Sequence, residues 1–183
     1  MDITEFFELS AGKWFSQRTI HNFSSGKLTA GKSTLTIGIL AANDPTVVQL
    51  WGQSGDRTSM TSNAWGGLQM SWDGTAEGTS QPQSGSSLIV PMISVDSGPE
   101  SPATGQFLQM RLQPANGSGV LQGHYSLGCD QVLTLVTESE DFQVEERLWY
   151  LMPNLRLRTS VIQSADGLTQ ASFCSEIRLL AAK

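Results

Sequence analysis

Two hydrophobic periods divide the chain. Near the start, Ile3, Phe6 and Phe7 recur at helical spacing, and Asp2-Ile3-Thr4-Glu5 has the form of a capping box. This predicts one short amphipathic helix over residues 2–10, ending near Gly12, whose apolar stripe plugs one end of the remaining fold. After Gly12 the period falls to two. Trp14, Ser16, Arg18 and Ile20 share one strand face, and Phe15, Gln17, Thr19 and His21 share the other. Leu35, Ile37 and Ile39 alternate with Thr34, Thr36 and Gly38. Val47-Val48-Gln49-Leu50-Trp51 reads as a short β-branched strand. Further strands are expected over roughly 64–72, 86–95, 106–112, 119–127, 130–137, 142–151, 154–163 and 168–180.

Turn signals separate these runs: Asn43-Asp44-Pro45, Ser54-Gly55-Asp56, Asn116-Gly117 and Asp166-Gly167. Two longer stretches, Asp73 to Gly85 and Asp96 to Gly105, are rich in Gly, Ser, Thr and Pro and read as surface loops bordering a site. No repeat and no domain linker interrupts the pattern. The expectation is a single all-β domain over residues 1–183, an antiparallel barrel of about ten strands spanning 12–181 behind the helix. Short connections and a leading helix able to cap an open end favour a barrel over a sandwich. A barrel of this size encloses one small ligand. Gly12-Lys13-Trp14 resembles the Gly-x-Trp at the first strand of lipocalins and other calycins, in which a late-strand Arg lies over the Trp; Arg178 is the candidate partner.

Composition narrows the function. The 183 residues are 15% charged with a net charge of −6, so a phosphate backbone is repelled and nucleic acid is not the main partner. No run of about 18 apolar residues spans a bilayer. The N-terminus has no basic and apolar leader, which points to the cytosol. There Asn22-Phe23-Ser24 and Asn116-Gly117-Ser118 stay unglycosylated, and Cys129 and Cys174 are expected to be reduced, buried thiols rather than a disulfide.

Gly26-Lys27-Leu28-Thr29-Ala30-Gly31-Lys32-Ser33 matches the phosphate-loop pattern letter by letter. That chemistry needs a helix after the glycines, whereas Thr34 to Leu40 alternates as a strand, so a hairpin loop is expected instead. His21 and His124 have no Cys/His spacing that suggests a metal, and no nucleophile elbow is present. The segment from Glu145 to Ser160 is more informative. On a strand, Arg156, Arg158 and Ser160 point one way. If the hairpin centres on Pro153, Glu146 falls opposite Ser160 and diagonal to Arg158; an odd slip would move Glu146 to the other face. Two guanidinium forks suit a ligand with two carboxylates. The same spacing also suits an exposed strand with cross-strand ion pairs. Trp65-Gly66-Gly67 and Trp72-Asp73 border the first long loop, where a ring can stack on a flat conjugated ligand.

The opening Glu5-Phe6-Phe7-Glu8-Leu9-Ser10-Ala11-Gly12-Lys13-Trp14, with Ser16-Gln17-Arg18-Thr19 and His21, resembles the S-type phycobiliprotein lyases. Arg156-x-Arg158-x-Ser160 and Ser172-Phe173-Cys174-Ser175-Glu176-Ile177-Arg178 look like that family too. The resemblance covers both ends of the chain, not about Ser24 to Gly123, and His21-Asn22 stands where members often carry a His-His pair. It implies a lipocalin-like, fatty-acid-binding-protein-like barrel. It also implies attachment of a linear tetrapyrrole, phycocyanobilin or phycoerythrobilin, to a cysteine of a phycocyanin, allophycocyanin or phycoerythrin subunit in the cyanobacterial cytosol. The bilin is then a substrate, with no permanently bound cofactor and no metal. Arg156 and Arg158 are implied as propionate anchors, Ser160 as their support and Glu146 as the acid facing the pyrrole nitrogens, with Arg18, Trp65, Trp72 and Trp149 as further bilin contacts. A second copy of the chain or a related lyase subunit stands as a further partner. Two rivals use the same barrel: a fatty-acid-type carrier without chemistry, and a bilin chaperone that never forms the thioether.

Overall fold

The computed structural model describes residues 1–53, 65–77, 82–93, 103–112 and 119–179. Helix α1 (Ile3–Ser10) starts as its capping box requires: the Glu5 amide donates to Asp2 Oδ1 at 2.8 Å, and the Asp2 amide to Glu5 Oε2 at 2.8 Å. Its buried face is Ile3, Phe6, Phe7 and Ser10. Ten antiparallel strands follow: β1 (Gly12–Asn22), β2 (Lys27–Leu40), β3 (Gly67–Ala76), β4 (Pro82–Ile93), β5 (Ala103–Arg111), β6 (Leu121–Leu127), β7 (Leu133–Glu138), β8 (Phe142–Met152), β9 (Leu155–Ser164) and β10 (Gly167–Arg178). Each pairs with its sequence neighbours, and β1 pairs with β10 to close the ring. The barrel expected from the alternation is therefore present.

The inner core lies at the α1 end. Ile3, Phe6 and Phe7 join Trp14, Leu35, Ile37, Phe107, Tyr125, Leu133 and Leu148 there. Trp14 is the keystone. Its indole N–H donates to Ser10 O at 3.0 Å, and the Arg178 guanidinium stacks 4.1 Å from its ring centre. Arg178 also donates to the carbonyls of Leu9 and Ala11, satisfying oxygens that the end of α1 leaves open. Gly12 sits at φ +124°, and a Cβ there would lie 2.8 Å from an Arg178 nitrogen, so the Gly-x-Trp motif marks a real steric requirement.

Several expectations change. Val47–Trp51 is not a strand but part of helix α2 (Pro45–Gly52). Asp44 caps it by accepting from the Thr46 amide at 2.8 Å, and Pro45 opens it. Val47, Leu50 and Trp51 then fall at helical spacing and pack on the outer face of β4 and β5 with Leu88, Val90, Leu108 and Met110. Capping outweighs β-propensity there. The expected loop from Asp73 to Gly85 is mostly ladder: β3 runs to Ala76 and β4 starts at Pro82. Cys129 lies exposed at a turn rather than buried, while Cys174 is buried; both are free thiols. The literal phosphate-loop match opens no helix, as expected, but it is not a loop either: Gly26 ends the turn and Lys27 to Ser33 already lie in β2. Ser54-Gly55-Asp56, Asn116-Gly117 and most of Asp96 to Gly105 lie outside the described residues, whereas Asp166-Gly167 turns β9 into β10. No helix among the described residues is long and apolar enough to cross a membrane.

Candidate ligand site in the barrel

The plugged end leaves the other half of the barrel hollow. A cavity of about 560 Å³ opens there, walled by inward-facing residues of most strands. That volume falls within the roughly 300–1,000 Å³ of sites for drug-sized molecules. Its inward-facing charged side chains among the described residues are Arg18, Arg111, Arg158 and one acid, Glu146, with the exposed Lys32 of opposite parity at the rim. A chain of net charge −6 thus concentrates cations where a ligand would sit.

The β8–β9 hairpin has the register read from the sequence. Glu146 pairs with Ser160, and Arg158 reaches back to Glu146 at 3.6 Å. Arg158, Ser160 and Glu146 all line the cavity. Arg158 is also held from below: its guanidinium lies 3.2 Å from Glu176 Oε1 and donates to Cys174 Sγ at 3.8 Å. Burial alone would lower its affinity for the proton, but Glu176 and then Glu146 outweigh burial and keep the guanidinium charged above its ordinary range. Burial pushes the Cys174 thiol up, and the neighbouring Arg158 only partly offsets this. Cys174 is therefore a neutral thiol at physiological pH.

Arg156 occupies a different place from the one expected. Its side chain is 3% exposed, its Nε and a terminal nitrogen each lie 2.6 Å from Glu176 Oε2, and its guanidinium sits 5.0 Å from the Trp14 ring centre. It does not line the cavity. Two residues along a strand is about 6.6 Å, enough to move a side chain from the ligand wall to the barrel floor. The expected pair is thus one cavity-facing Arg and one floor Arg, joined by Glu176. Glu176 is fully buried and was missed as a site residue, although its alternation with Ser172, Cys174 and Arg178 was visible.

The tryptophans also separate. Trp72 lines the cavity. Trp65 packs instead against Phe7 of the plug, ring centres 5.6 Å apart. Trp149 lies between inward Leu148 and Tyr150, so alternation puts it on the outer face, paired with Leu157. Arg18 lines the mouth, where it donates to Gln83 Oε1 of β4 at 3.3 Å, passing over β2 and β3. Ser87 adds a buried wall hydroxyl without a hydrogen-bond partner among the described residues. No cluster of three or more metal-ligating side chains occurs among the described residues.

Comparison with known proteins agrees with this architecture. The CpeS-like protein family matches residues 2–179. The chain is 48% identical over 179 residues to chromophore lyase CpcS/CpeS 1 of Trichodesmium erythraeum, covering 97% of this chain and 98% of that one. It is 42% identical to chromophore lyase CpcS/CpeS of Thermosynechococcus vestitus, over 98% of this chain and 93% of that one. The solved S-type phycobiliprotein lyase CPES of Guillardia theta superposes with a TM-score of 0.81 at 26% identity, covering 100% of this chain and 95% of that one. The alternation, the plugged barrel and these full-length matches together place the chain in the CpeS-like family, alongside the chromophore lyases.

Proposed function

We propose that this protein is a bilin lyase: it takes a linear tetrapyrrole into the barrel cavity and joins it to a cysteine of a phycobiliprotein subunit. The observation that carries the reading is Arg158, Ser160 and Glu146 converging on one roomy cavity in a chain so closely related to named chromophore lyases. Arg158 presents a permanently charged fork to a propionate, and Ser160 beside it offers a hydroxyl. Trp72 supplies a flat face for a conjugated ring. Glu146, opposite Ser160 on the cavity wall, offers a carboxyl group suited to ring N–H groups and to supplying a proton.

The reaction is an addition. The acceptor thiolate forms a C–S bond to the ethylidene carbon of the bilin, and a proton is delivered to the adjacent ring carbon. Nothing leaves, and the proton gained by the bilin equals the one lost by the acceptor thiol. The main contribution of the barrel is to hold one conformer of a flexible chain with its reactive ring near the mouth; Glu146 assists the protonation. Cys174, a neutral buried thiol, has no nucleophilic part in this scheme, and neither has Cys129. Phycocyanobilin or phycoerythrobilin is the substrate, and a phycocyanin, allophycocyanin or phycoerythrin apo-subunit in the cytosol is the acceptor.

Mixing the protein with phycocyanobilin tests the binding half: a shifted and sharpened visible band supports it, and an unchanged spectrum removes it. Adding an apo-subunit tests the transfer: colour must stay with the subunit in a denaturing gel. Binding without covalent colour would leave a carrier or chaperone.

A further inference from the structure

We infer that Gly85, which never touches the cavity, sets its width through Trp72 and so helps determine which planar ligand fits; the inference rests on the proposed bilin binding. Trp72 and Gly85 are direct cross-strand partners on β3 and β4, with side-chain directions on the same, inner face. A Cβ built on Gly85 would lie 2.7 Å from Trp72 Cε2 and 3.0 Å from Cη2, closer still to Cζ2. The six-membered ring of the indole therefore rests on the bare Cα of Gly85. The lining of the cavity shows the same arrangement. Gln83 and Ser87, two residues to either side on β4, face the cavity, whereas Gly85 does not, because the indole covers it.

Backbone conformation does not call for glycine here. The positive-φ glycines among the described residues are Gly12, Gly26, Gly66 and Gly167, and Gly85 is not among them. The space above residue 85 is the whole requirement. Among the described residues two other ring-over-glycine pairs occur, Phe107 on Gly123 and Tyr125 on Gly105, but both rings are buried in the floor core. Trp72 is the one whose ring borders the ligand space. A methyl group at position 85 must lift the indole away from the wall, and the hollow side of the barrel is the side left to receive it.

The test compares Gly85→Ala, Trp72→Ala and the double variant, each titrated with phycocyanobilin and followed by visible absorption. Near-UV circular dichroism of the ligand-free proteins reports the indole environment. Overpacking of this kind predicts roughly tenfold or greater loss of affinity for Gly85→Ala, with a shifted bound-state band and an altered near-UV signal. In the Trp72→Ala background the same substitution should change affinity less than about twofold, because its obstacle is gone. The double variant also has room for the methyl group, so it supplies a folded comparison if Gly85→Ala alone does not fold. Equal losses in both backgrounds, or unchanged affinity and band shape for Gly85→Ala, would overturn the inference while leaving the bilin reading intact. If the unaltered protein binds no phycocyanobilin, the bilin reading fails and the specificity role falls with it, while the near-UV comparison still judges the indole placement.

Discussion

Arg158 and Glu176 lie 3.2 Å apart on neighbouring strands, and the second oxygen of the same carboxylate holds Arg156 at 2.6 Å. One buried acid thus ties the cavity wall to the barrel floor. Replacing it by glutamine keeps the shape and removes the charge, leaving Arg156 buried without compensation. Glu176→Gln should cost on the order of 3–5 kcal/mol of folding stability, as breakage of a buried pair does. Chemical denaturation measures it; a loss under about 1 kcal/mol would mean the pair is not desolvated as its burial indicates.

The two arginines should separate by assay. Arg156→Met leaves buried Glu176 with Arg158 alone and removes one of the two cations from the Trp14 ring, so its main effect is a lower melting temperature. Arg158→Leu leaves Glu176 with Arg156, so the fold survives, and phycocyanobilin affinity falls by about tenfold or more. Melting curves and bilin titrations on both variants decide it. Identical behaviour would argue against the division of labour.

Glu146→Gln should leave bilin binding within a few-fold of normal and slow thioether formation by roughly 10²–10⁴-fold, the range for a positioned acid or base. Single-turnover transfer to an apo-subunit with preloaded bilin separates the two effects. A loss confined to affinity would make Glu146 an anchor instead.

The thiols give a pH prediction. The raised Cys174 value means the folded protein keeps a proton that the unfolded chain gives up in the ordinary thiol range. The resulting stability is present below that range and is lost as pH rises through it towards the folded value. Cys174→Ala should flatten this alkaline decline. A thiol reagent at neutral pH should modify Cys129 promptly and Cys174 only after unfolding, because one is exposed and the other buried. Transfer activity should survive replacement of both by alanine.

Much of this was legible in residue order because the barrel is built from local signals. The capping box, the switch to period two at Gly12 and the centring of a hairpin on Pro153 each depend on neighbours in sequence, and Glu146 met Ser160 as that centring required. What was not legible depends on depth. Alternation says which way Arg156 and Arg158 point, not how far each lies from the plug, and the floor begins between them. Trp65 stands at the plug, again a matter of depth, whereas Trp149 has the parity opposite to Glu146, which strict alternation from Glu146 already assigns to the outer face. Helix α2 was hidden because Val47 and Val48 favour a strand until the Asp44 cap and Pro45 are weighed.

The ring of strands has a consequence for how the protein meets its acceptor. With β1 bonded to β10, every described strand has a neighbour on both sides, and one-sided pairing is confined to strand ends such as Trp149–Met152 of β8. Among the described residues the ring therefore offers another polypeptide only short main-chain edges to extend. Recognition of an acceptor then falls mainly to side chains and connecting segments, a mode that leaves partner choice open to change at single positions without disturbing the vessel.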